Sequence, residues 1–234
     1  MKNNGGQMND FIISACNKKV ADKCRKVVLR SASASILFIS GKSACGKTQL
    51  LRSVAKLYSD EYNKEAMLVS FQQMIDDLVE CIKDRNEDKI YEIYSGSDLL
   101  LVDNVQCVVG LDAVQEEFVK IFKKLRDMGV RIIMASECSL DCYDVFQKLL
   151  TKEKGFAVRK MKEADFDLRK KVLRKVLIEE DVSVSKRMFF YLASDKKIRL
   201  SSLKGCVLNI RLMKNLNNKI TDKEIKDAVK KYER

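Results

Sequence analysis

Residues 41 to 48, GKSACGKT, combine two glycines with a lysine and a threonine at a fixed spacing, Gly-x4-Gly-Lys-Thr. Glycine lets the backbone turn tightly and approach an anion, so that successive N–H groups point at its oxygens. Lysine in this position neutralises the β and γ phosphates of a nucleotide, and threonine offers its hydroxyl to Mg²⁺. A simple glycine turn would explain the glycines but not the residues beside them. The pattern therefore predicts that ATP or ADP is bound with Mg²⁺ by Gly41, Lys42, Ser43, Ala44, Cys45, Gly46, Lys47, Thr48 and Gln49.

A second candidate group is a carboxylate at the end of an apolar run. LLLVDN, residues 99–104, has the composition of a buried strand that ends on Asp103. A carboxylate at the carboxyl end of a strand facing the phosphate loop reaches Mg²⁺, partly through water. We therefore expect Thr48 and Asp103 to form the Mg²⁺ site. An aspartate that only caps a following helix is the weaker alternative, since the loop pattern is already present.

The elements that position these residues follow from the hydrophobic pattern. Short apolar runs predict five strands, at 36–40, 66–71, 99–104, 130–136 and 155–161. Amphipathic stretches between them predict helices at 47–58, 71–94 and 112–127. Continuously apolar strands that alternate with helices are typical of a parallel sheet covered on both faces. The first part of the chain is therefore predicted to be a P-loop αβα sandwich with a five-stranded parallel sheet.

The strands cease after about residue 162. Four helices are predicted there, at 164–180, 185–194, 201–216 and 222–233. Thr221 followed by Glu224 has the spacing of a capping box at the start of the last helix. The predicted organisation is a flexible leader at 1–10, an α/β nucleotide-binding domain at 11–161 and a small all-α lid domain at 162–234.

Composition excludes several classes of site. The chain has no histidine, so a Ser-His-Asp or Cys-His catalytic arrangement is excluded. Its 8 cysteines lack Cys-x2-Cys pairing, which favours reduced, mostly buried thiols over a zinc site. There is no apolar run of membrane-spanning length and no signal-peptide pattern at the start, so we expect a cytoplasmic protein without membrane contact.

Charge is unevenly distributed along the chain. The net charge is +12, and residues 161 to 234 hold 20 basic against 11 acidic residues. A basic helical region is suited to DNA or to another acidic surface. A solvated, lysine-rich helix surface is an equally simple interpretation, and both remain open at this point.

The motifs together resemble the AAA+ domain of the bacterial replication initiator DnaA family, over nearly the whole chain. FIISACNKKVADKC (11–24) is similar to the N-terminal box of the family, with Phe11 and Asn17 matching and Ser14 in place of a glycine. The resemblance implies that this segment lies by the adenine. Residues 71–106 resemble the helices and Walker B strand of the family, and RIIMASE (131–137) resembles the sensor 1 strand. It implies catalytic or sensing roles for Asp103, Asn104 and Glu137.

This sequence departs from the family pattern where hydrolysis is promoted. The second Walker B acid is replaced by Asn104, which can position a water molecule but cannot accept its proton. Residues 132–158 contain no arginine, and Lys152 is nearest to the arginine-finger position. Lysine lacks the bidentate fork of arginine.

The lid departs from the pattern as well. The sensor 2 arginine is replaced by Ser201, and Arg199 lies two residues earlier. The resemblance implies a contact with single-stranded DNA just before the sequence QEEF (115–118). This chain has Leu111, Asp112 and Ala113 there, in place of the basic residues of the family. We therefore expect slow or negligible ATP hydrolysis, unless Arg159 or Arg199 replaces a missing group.

The leading functional hypothesis is a stand-alone, Hda-like module of the DnaA family that acts in or regulates replication initiation. It would contact another AAA+ protein, an initiator or replication factor, or assemble with itself, and DNA contact through the basic lid is a further possibility. The alternatives are a helicase-loader-type ATPase that binds single-stranded DNA, a degenerate adaptor that does not hydrolyse ATP, and a fragment of a longer initiator.

Overall fold

The structure is a computed structural model, and it describes residue 8 and residues 11–31, 35–216 and 221–232. The predicted leader at 1–10 lies outside the described residues except for Met8. Within the described ranges, every helix is too short or too polar to cross a bilayer.

Five parallel strands form one sheet, as predicted. They are ordered β2-β3-β4-β1-β5, and every neighbouring pair is parallel. Their bounds are β1 Ile36–Ser40, β2 Met67–Ser70, β3 Leu99–Asp103, β4 Arg131–Ser136 and β5 Phe156–Lys160. The three central strands are buried along their whole length, whereas β2 and β5 at the edges are partly exposed. The continuous apolar runs therefore correspond to strands covered on both faces.

Among the described residues, six helices accompany the sheet. They are α1 Lys18–Val28, α2 Lys47–Tyr62, α3 Phe71–Lys83, α4 Lys89–Ser95, α5 Asp112–Asp127 and α6 Asp144–Leu150. Short 3₁₀ turns at Val105–Val108 and Leu140–Cys142 follow β3 and β4. Aromatic side chains fill the core beneath α3, α5 and α6, where the ring centroids of Phe71 and Phe118 lie 4.5 Å apart.

The single helix predicted at 71–94 is wrong, because the chain forms two helices there. α3 ends in a Schellman motif: Asn86 N–H donates to the Cys81 carbonyl at 2.9 Å, and Arg85 N–H donates to Ile82 at 3.1 Å. Arg85 takes the left-handed conformation this motif requires, with φ of 53°. Glycine usually occupies that position, so the sequence lacks the usual signal of a break.

The C-terminal region is helical, as predicted. Its elements are α7 Phe166–Glu179, α8 Lys186–Ser194, α9 Leu203–Leu216 and α10 Asp222–Val229, with 3₁₀ turns at Leu200–Ser202 and Lys230–Tyr232. The predicted capping box is confirmed: Thr221 accepts from Glu224 N–H, and the Glu224 carboxylate accepts from Thr221 N–H.

A buried arginine ties these helices together. Arg169 on α7 donates to the carbonyls of Leu192, Ala193, Asp195 and Ile198, at 2.7 to 3.1 Å. Those carbonyls belong to the last turn of α8 and the segment after it, which lack helical partners. Burial lowers the pKa of Arg169, which nevertheless begins from a very high ordinary value.

The chain divides into two compact units. The α/β unit comprises the described residues of Met1–Phe11, Lys18–Ser43 and Lys47–Lys162, and the helical unit comprises those of Ile12–Asn17, Ala44–Gly46 and Glu163–Arg234. The domain boundaries expected from the sequence remain a prediction.

Candidate functional site

The glycine-rich loop leaves the sheet from the end of a central strand. Ser40 ends β1 and pairs with Ser136 at the end of β4. Gly41 N–H then donates to the Ser136 carbonyl at 3.1 Å, which fixes where the loop begins. The loop reaches α2 through two left-handed residues, Ala44 with φ of 58° and Gly46 with φ of 99°. Only glycine takes the second of these values without strain, so Gly46 meets a backbone requirement.

Lys47 is the first residue of α2 and is buried. Its Nζ donates to the carbonyls of Gly41 at 2.7 Å and Lys42 at 2.9 Å. The ammonium group therefore lies within the loop that the sequence marks for phosphate. The other loop residues differ in exposure: Lys42, Ser43, Thr48 and Gln49 are exposed, and Cys45 is buried.

Thr48 and Asp103 lie within hydrogen-bond distance of each other, as the Mg²⁺ prediction requires. Thr48 Oγ1 donates to Asp103 Oδ2 at 2.6 Å, and Asn104 N–H donates to Asp103 Oδ1 at 2.9 Å. Asp103 is buried at the end of β3. A hydroxyl and a carboxylate are the hard oxygen ligands that Mg²⁺ prefers. The donor set fits a magnesium ion that also carries water and nucleotide oxygens.

Asn104 occupies a position that constrains its residue type. Its φ of 58° is left-handed, a conformation that asparagine adopts more readily than most residues. Its side-chain oxygen accepts from Gln106 Nε2 at 3.3 Å, and Gln106 Oε1 accepts from Glu137 N–H at 3.2 Å. Gln106 thus links the residues that follow β3 and β4. No sequence pattern points to Gln106, because its partners are set by strand order.

Glu137 lies one residue beyond the end of β4, and its side chain is exposed. The last residue of the strand, Ser136, is buried and bonds through its hydroxyl to Tyr143. Burial raises the pKa of Tyr143 well above its ordinary value, so the phenol stays protonated. Ser136 Oγ also accepts from Cys138 N–H at 2.9 Å. This buried pair holds the segment that carries Glu137, and the sequence analysis did not identify it.

The positions expected to supply positive charge are exposed. Lys152 and Arg159 lie at the surface of the α/β unit, and Arg159 Nη1 donates to the Val158 carbonyl at 2.7 Å. Arg126 is paired with Glu153 at 2.7 Å, and this bond holds the pKa of the Glu153 carboxyl below its usual range. In the helical unit, Arg199 is exposed and caps the Leu200–Ser202 turn that contains Ser201.

Phe11 and Asn17 fall in different units. Phe11 is buried in the α/β unit. The amide of Asn17 is bonded within its own turn, accepting from Ser14 N–H at 2.9 Å and donating to the Ile12 carbonyl at 3.0 Å. Ser14 Oγ donates to both carboxylate oxygens of Asp165 at 2.9 Å. The residue that replaces the glycine of the family box thus gains a bond to the start of α7.

Comparisons with known proteins agree on one family. Residues 3–155 match the family model for the bacterial DnaA ATPase domain. The chromosomal replication initiator protein DnaA of Thermotoga maritima is 26% identical over 223 residues, which cover 94% of this chain and 50% of the relative. That of Flavobacterium psychrophilum is 25% identical over 199 residues, 84% of this chain and 42% of the relative. The chain therefore spans about half the length of the curated relatives it matches.

Solved structures show the same fold. Domain III of Thermotoga maritima DnaA superposes with a TM-score of 0.83 at 24% identity, covering 99% of this chain and 98% of that one. AMPPCP-bound DnaA from Aquifex aeolicus superposes with a TM-score of 0.75 at 24% identity, covering 90% and 66%. DnaA bound to AMPPCP and single-stranded DNA gives a TM-score of 0.74 at 25% identity, with the same coverage. The fold is that of the AAA+ domain of DnaA, and with the family match over residues 3–155 this chain belongs to the bacterial DnaA ATPase domain family.

Proposed function

We propose that this chain binds ATP or ADP with Mg²⁺ at the carboxyl edge of its sheet and hydrolyses ATP slowly or not at all by itself. The observation that carries the proposal is the 2.6 Å bond between Thr48 and Asp103 beside a loop that already holds the Lys47 ammonium. AMPPCP bound to related DnaA structures supports the same class of ligand.

Different residues of the chain would bind different parts of the nucleotide. Loop N–H groups and the start of α2 face the phosphates, while Lys47 exchanges its carbonyl partners for phosphate oxygens. Thr48 and Asp103 are the residues that would hold Mg²⁺, which supplies charge neutralisation between phosphate oxygens. Phe11 and Asn17 remain candidates for the adenine side of the site.

The residues near Asp103 support slow hydrolysis. Asn104 carries no proton-accepting carboxylate, and the nearest acid after β4, Glu137, is exposed. An arginine finger contributes about 10³–10⁵ in rate in related NTPases. The region expected to supply one carries Lys152 instead.

The nucleotide state would then act through partner affinity. We propose that the chain works in replication initiation or its control, by contacts with another AAA+ protein or with copies of itself. A ligand changes such contacts only by binding one conformation better than another.

A single-turnover experiment tests the nucleotide proposal. The protein is loaded with labelled Mg-ATP, and bound ATP and ADP are followed over time. We expect ATP to load and persist, and Lys47→Ala to abolish loading while Lys83→Ala, an exposed lysine of α3, does not. Conversion to ADP within seconds would overturn slow hydrolysis, and Arg159, Arg199 and Glu137 would be the next residues to change. No loading at all would favour a non-hydrolysing adaptor.

The charge of the helical region favours a second candidate function, binding of single-stranded DNA. Residues 161–234 hold 20 basic and 11 acidic residues, and a related DnaA has been solved with single-stranded DNA. Binding carried by phosphate contacts weakens steeply with salt. An oligothymidine titration at several salt concentrations tests it, and a salt-independent or absent signal would exclude it.

A further inference from the structure

The helical unit contains a groove formed by α7, the start of α8 and the segment between them. Its volume is 720 Å³, and its lining includes Lys170, Arg174, Ile178, Val184, Lys186 and Phe190. We call it the α7–α8 groove. It lies wholly within the helical unit, so it is separate in the chain from the Thr48–Asp103 pair.

Large apolar side chains are exposed in this groove, at Ile178 and Phe190, and beside it, at Phe166. Phe166 is 43% exposed, Phe190 53% and Ile178 74%. The rings of Phe166 and Phe190 stack with their centroids 6.2 Å apart, which makes them one surface. A contiguous apolar surface rimmed by polar groups is typical of a protein interaction site.

The groove presents its residues with helical spacing. Lys170, Arg174 and Ile178 of the lining recur every four residues on α7, and Phe166 continues the same row one turn before the lining begins. The row extends over about 18 Å, since a helix rises about 1.5 Å per residue. A row of this length beside a second helix matches the length of a helix of about three turns.

The charges of the groove are positive and available. Arg174 lies over the Phe189 ring, 5.8 Å from its centroid, and neither Arg174 nor Lys186 has a carboxylate partner among the described residues. Lys170 contacts Asp167 only at 3.8 Å. Asp181 is the one acidic residue of the lining among the described residues.

We infer that the α7–α8 groove receives an acidic amphipathic helix of a partner protein. The carboxylates of that helix face Lys170, Arg174 and Lys186, and its apolar residues cover Ile178, Val184 and Phe190. The exposed aliphatic side chain of Ile178 and the carboxylate of Asp181 favour a protein helix over single-stranded nucleic acid, whose backbone follows a continuous positive track. The net charge of +12 favours an acidic partner over a second copy of this chain.

A designed peptide serves as the probe. It is about 15 residues long, to match the row on α7, with leucine at every third or fourth position, glutamate elsewhere and a fluorophore at one end. A control peptide carries lysine in place of every glutamate. Binding is measured by fluorescence anisotropy with the whole chain, and an oligothymidine of similar length is titrated in parallel.

We expect the acidic peptide to bind and the basic control not to bind. Arg174→Glu should weaken binding at least about tenfold, because it removes one attraction and adds one repulsion. Ile178→Ser should weaken it several-fold, since it removes exposed apolar area from the floor. Lys175→Glu makes the same charge change one residue along α7, outside the lining, and should leave affinity within about twofold.

Three outcomes would overturn the inference. The first is that the acidic peptide does not bind, or binds wild type and the Arg174→Glu and Ile178→Ser variants with equal affinity. The second is that Arg174→Glu abolishes binding of the oligothymidine but not binding of the peptide. Sedimentation shows that the chain self-associates and that Arg174→Glu dissociates it, so that a second copy occupies the groove. All variants change exposed side chains, and circular dichroism checks that they fold.

Discussion

Each unit buries a long cation against backbone carbonyls, and the two cations are held differently. Lys47 in the α/β unit is 7% exposed and donates to carbonyls five and six residues earlier in its own loop. Arg169 in the helical unit is 5% exposed and donates to four carbonyls that lie 23 to 29 residues away. The first arrangement is local, and the second joins two separate helices.

The difference is consistent with a binding role proposed for Lys47 and a structural role for Arg169. The partners of Lys47 belong to its loop rather than to the packed face of α2, so an exchange of those carbonyls for phosphate would leave the packing of α2 in place. Arg169 donates to four carbonyls, of which that of Asp195 also accepts from Ile198 N–H at 3.3 Å, so its loss would leave buried carbonyls such as those of Ala193 and Ile198 without this donor. Substitutions at the sheet edge should therefore change ligand binding, whereas substitution of Arg169 should change stability.

The largest expected effect is at Arg169. Arg169→Met keeps the aliphatic length but removes every donor to the buried carbonyls, and we expect the free energy of unfolding of the helical unit to fall by about 3 kcal/mol. Urea unfolding followed by far-UV circular dichroism measures it. Arg174→Met, on the exposed side of the same helix, is the matched control and should change stability little. Equal effects in the two variants would contradict a structural role for Arg169.

Substitutions of Thr48 test the expectation that changes at the sheet edge alter ligand binding. Thr48→Val keeps the shape but removes the hydroxyl that donates to Asp103, so Mg²⁺-dependent nucleotide binding should weaken about 10–100-fold. Thr48→Ser keeps the hydroxyl and should bind within a few-fold of wild type. Titration of a fluorescent ATP analogue, with Mg²⁺ and with chelator, gives the measurement. A loss for Thr48→Val that is as large in chelator as in Mg²⁺ would argue against a metal role.

A substitution of Asn104 tests whether a missing general base is what keeps ATP hydrolysis slow. Asn104→Asp introduces a carboxylate at a left-handed position that aspartate also tolerates. A positioned base contributes about 10²–10⁴ in rate, so we expect single-turnover hydrolysis to rise at least about tenfold even without an arginine finger. Asn104→Gly relieves the backbone without adding a base and should not accelerate hydrolysis. An unchanged rate in the aspartate variant would mean that the missing finger alone limits turnover.

The smallest expected effect concerns Ser14 and Asp165. Burial opposes ionisation of Asp165, but hydrogen bonds from Leu168 N–H and Ser14 Oγ hold the pKa of its carboxyl below the ordinary value of 3.8. Because the folded-state pKa is depressed, the associated stability is present above about pH 4 and is lost as the pH falls through the folded-state pKa. Ser14→Ala should raise the pKa of Asp165 and move acid unfolding to higher pH.

Carboxyl ¹³C titration by NMR checks the change at Asp165. Asp227 serves as the internal reference, since the hydrogen bond from Lys230 that lowers its pKa does not involve Ser14. A shift at Asp227 as large as that at Asp165 would indicate a general change of the helical unit.

Local patterns in the sequence predicted much of the fold. The bounds of β1 and α5 were predicted to the residue. The strand ends where the apolar run 36–40 ends, and the helix ends where the amphipathic pattern of 112–127 ends. The capping box at Thr221 was likewise predicted, since both partners lie within four residues. The break between α3 and α4 was missed, because Arg85 takes a conformation that its residue type does not signal.

The candidate site divides in the same way. The loop from Gly41 to Thr48 is a local motif, so its residues and their spacing could be recognised in the chain itself. The Gln106 bridge and the Ser136–Tyr143 pair could not, because each depends on where neighbouring strands place their ends.

The sequence by itself determined the glycine-rich loop from Gly41 to Thr48, the strand that precedes it and the presence of Asn104 directly after Asp103. Only the tertiary structure decided that Thr48 donates directly to Asp103, that Ser14 reaches Asp165 across 151 residues, and that Arg169 joins α7 to the end of α8. The physical reason is the distance along the chain over which each interaction acts. Backbone conformation and helical period depend on neighbouring residues, whereas a hydrogen bond between distant residues exists only once the sheet order and helix packing have set the distance.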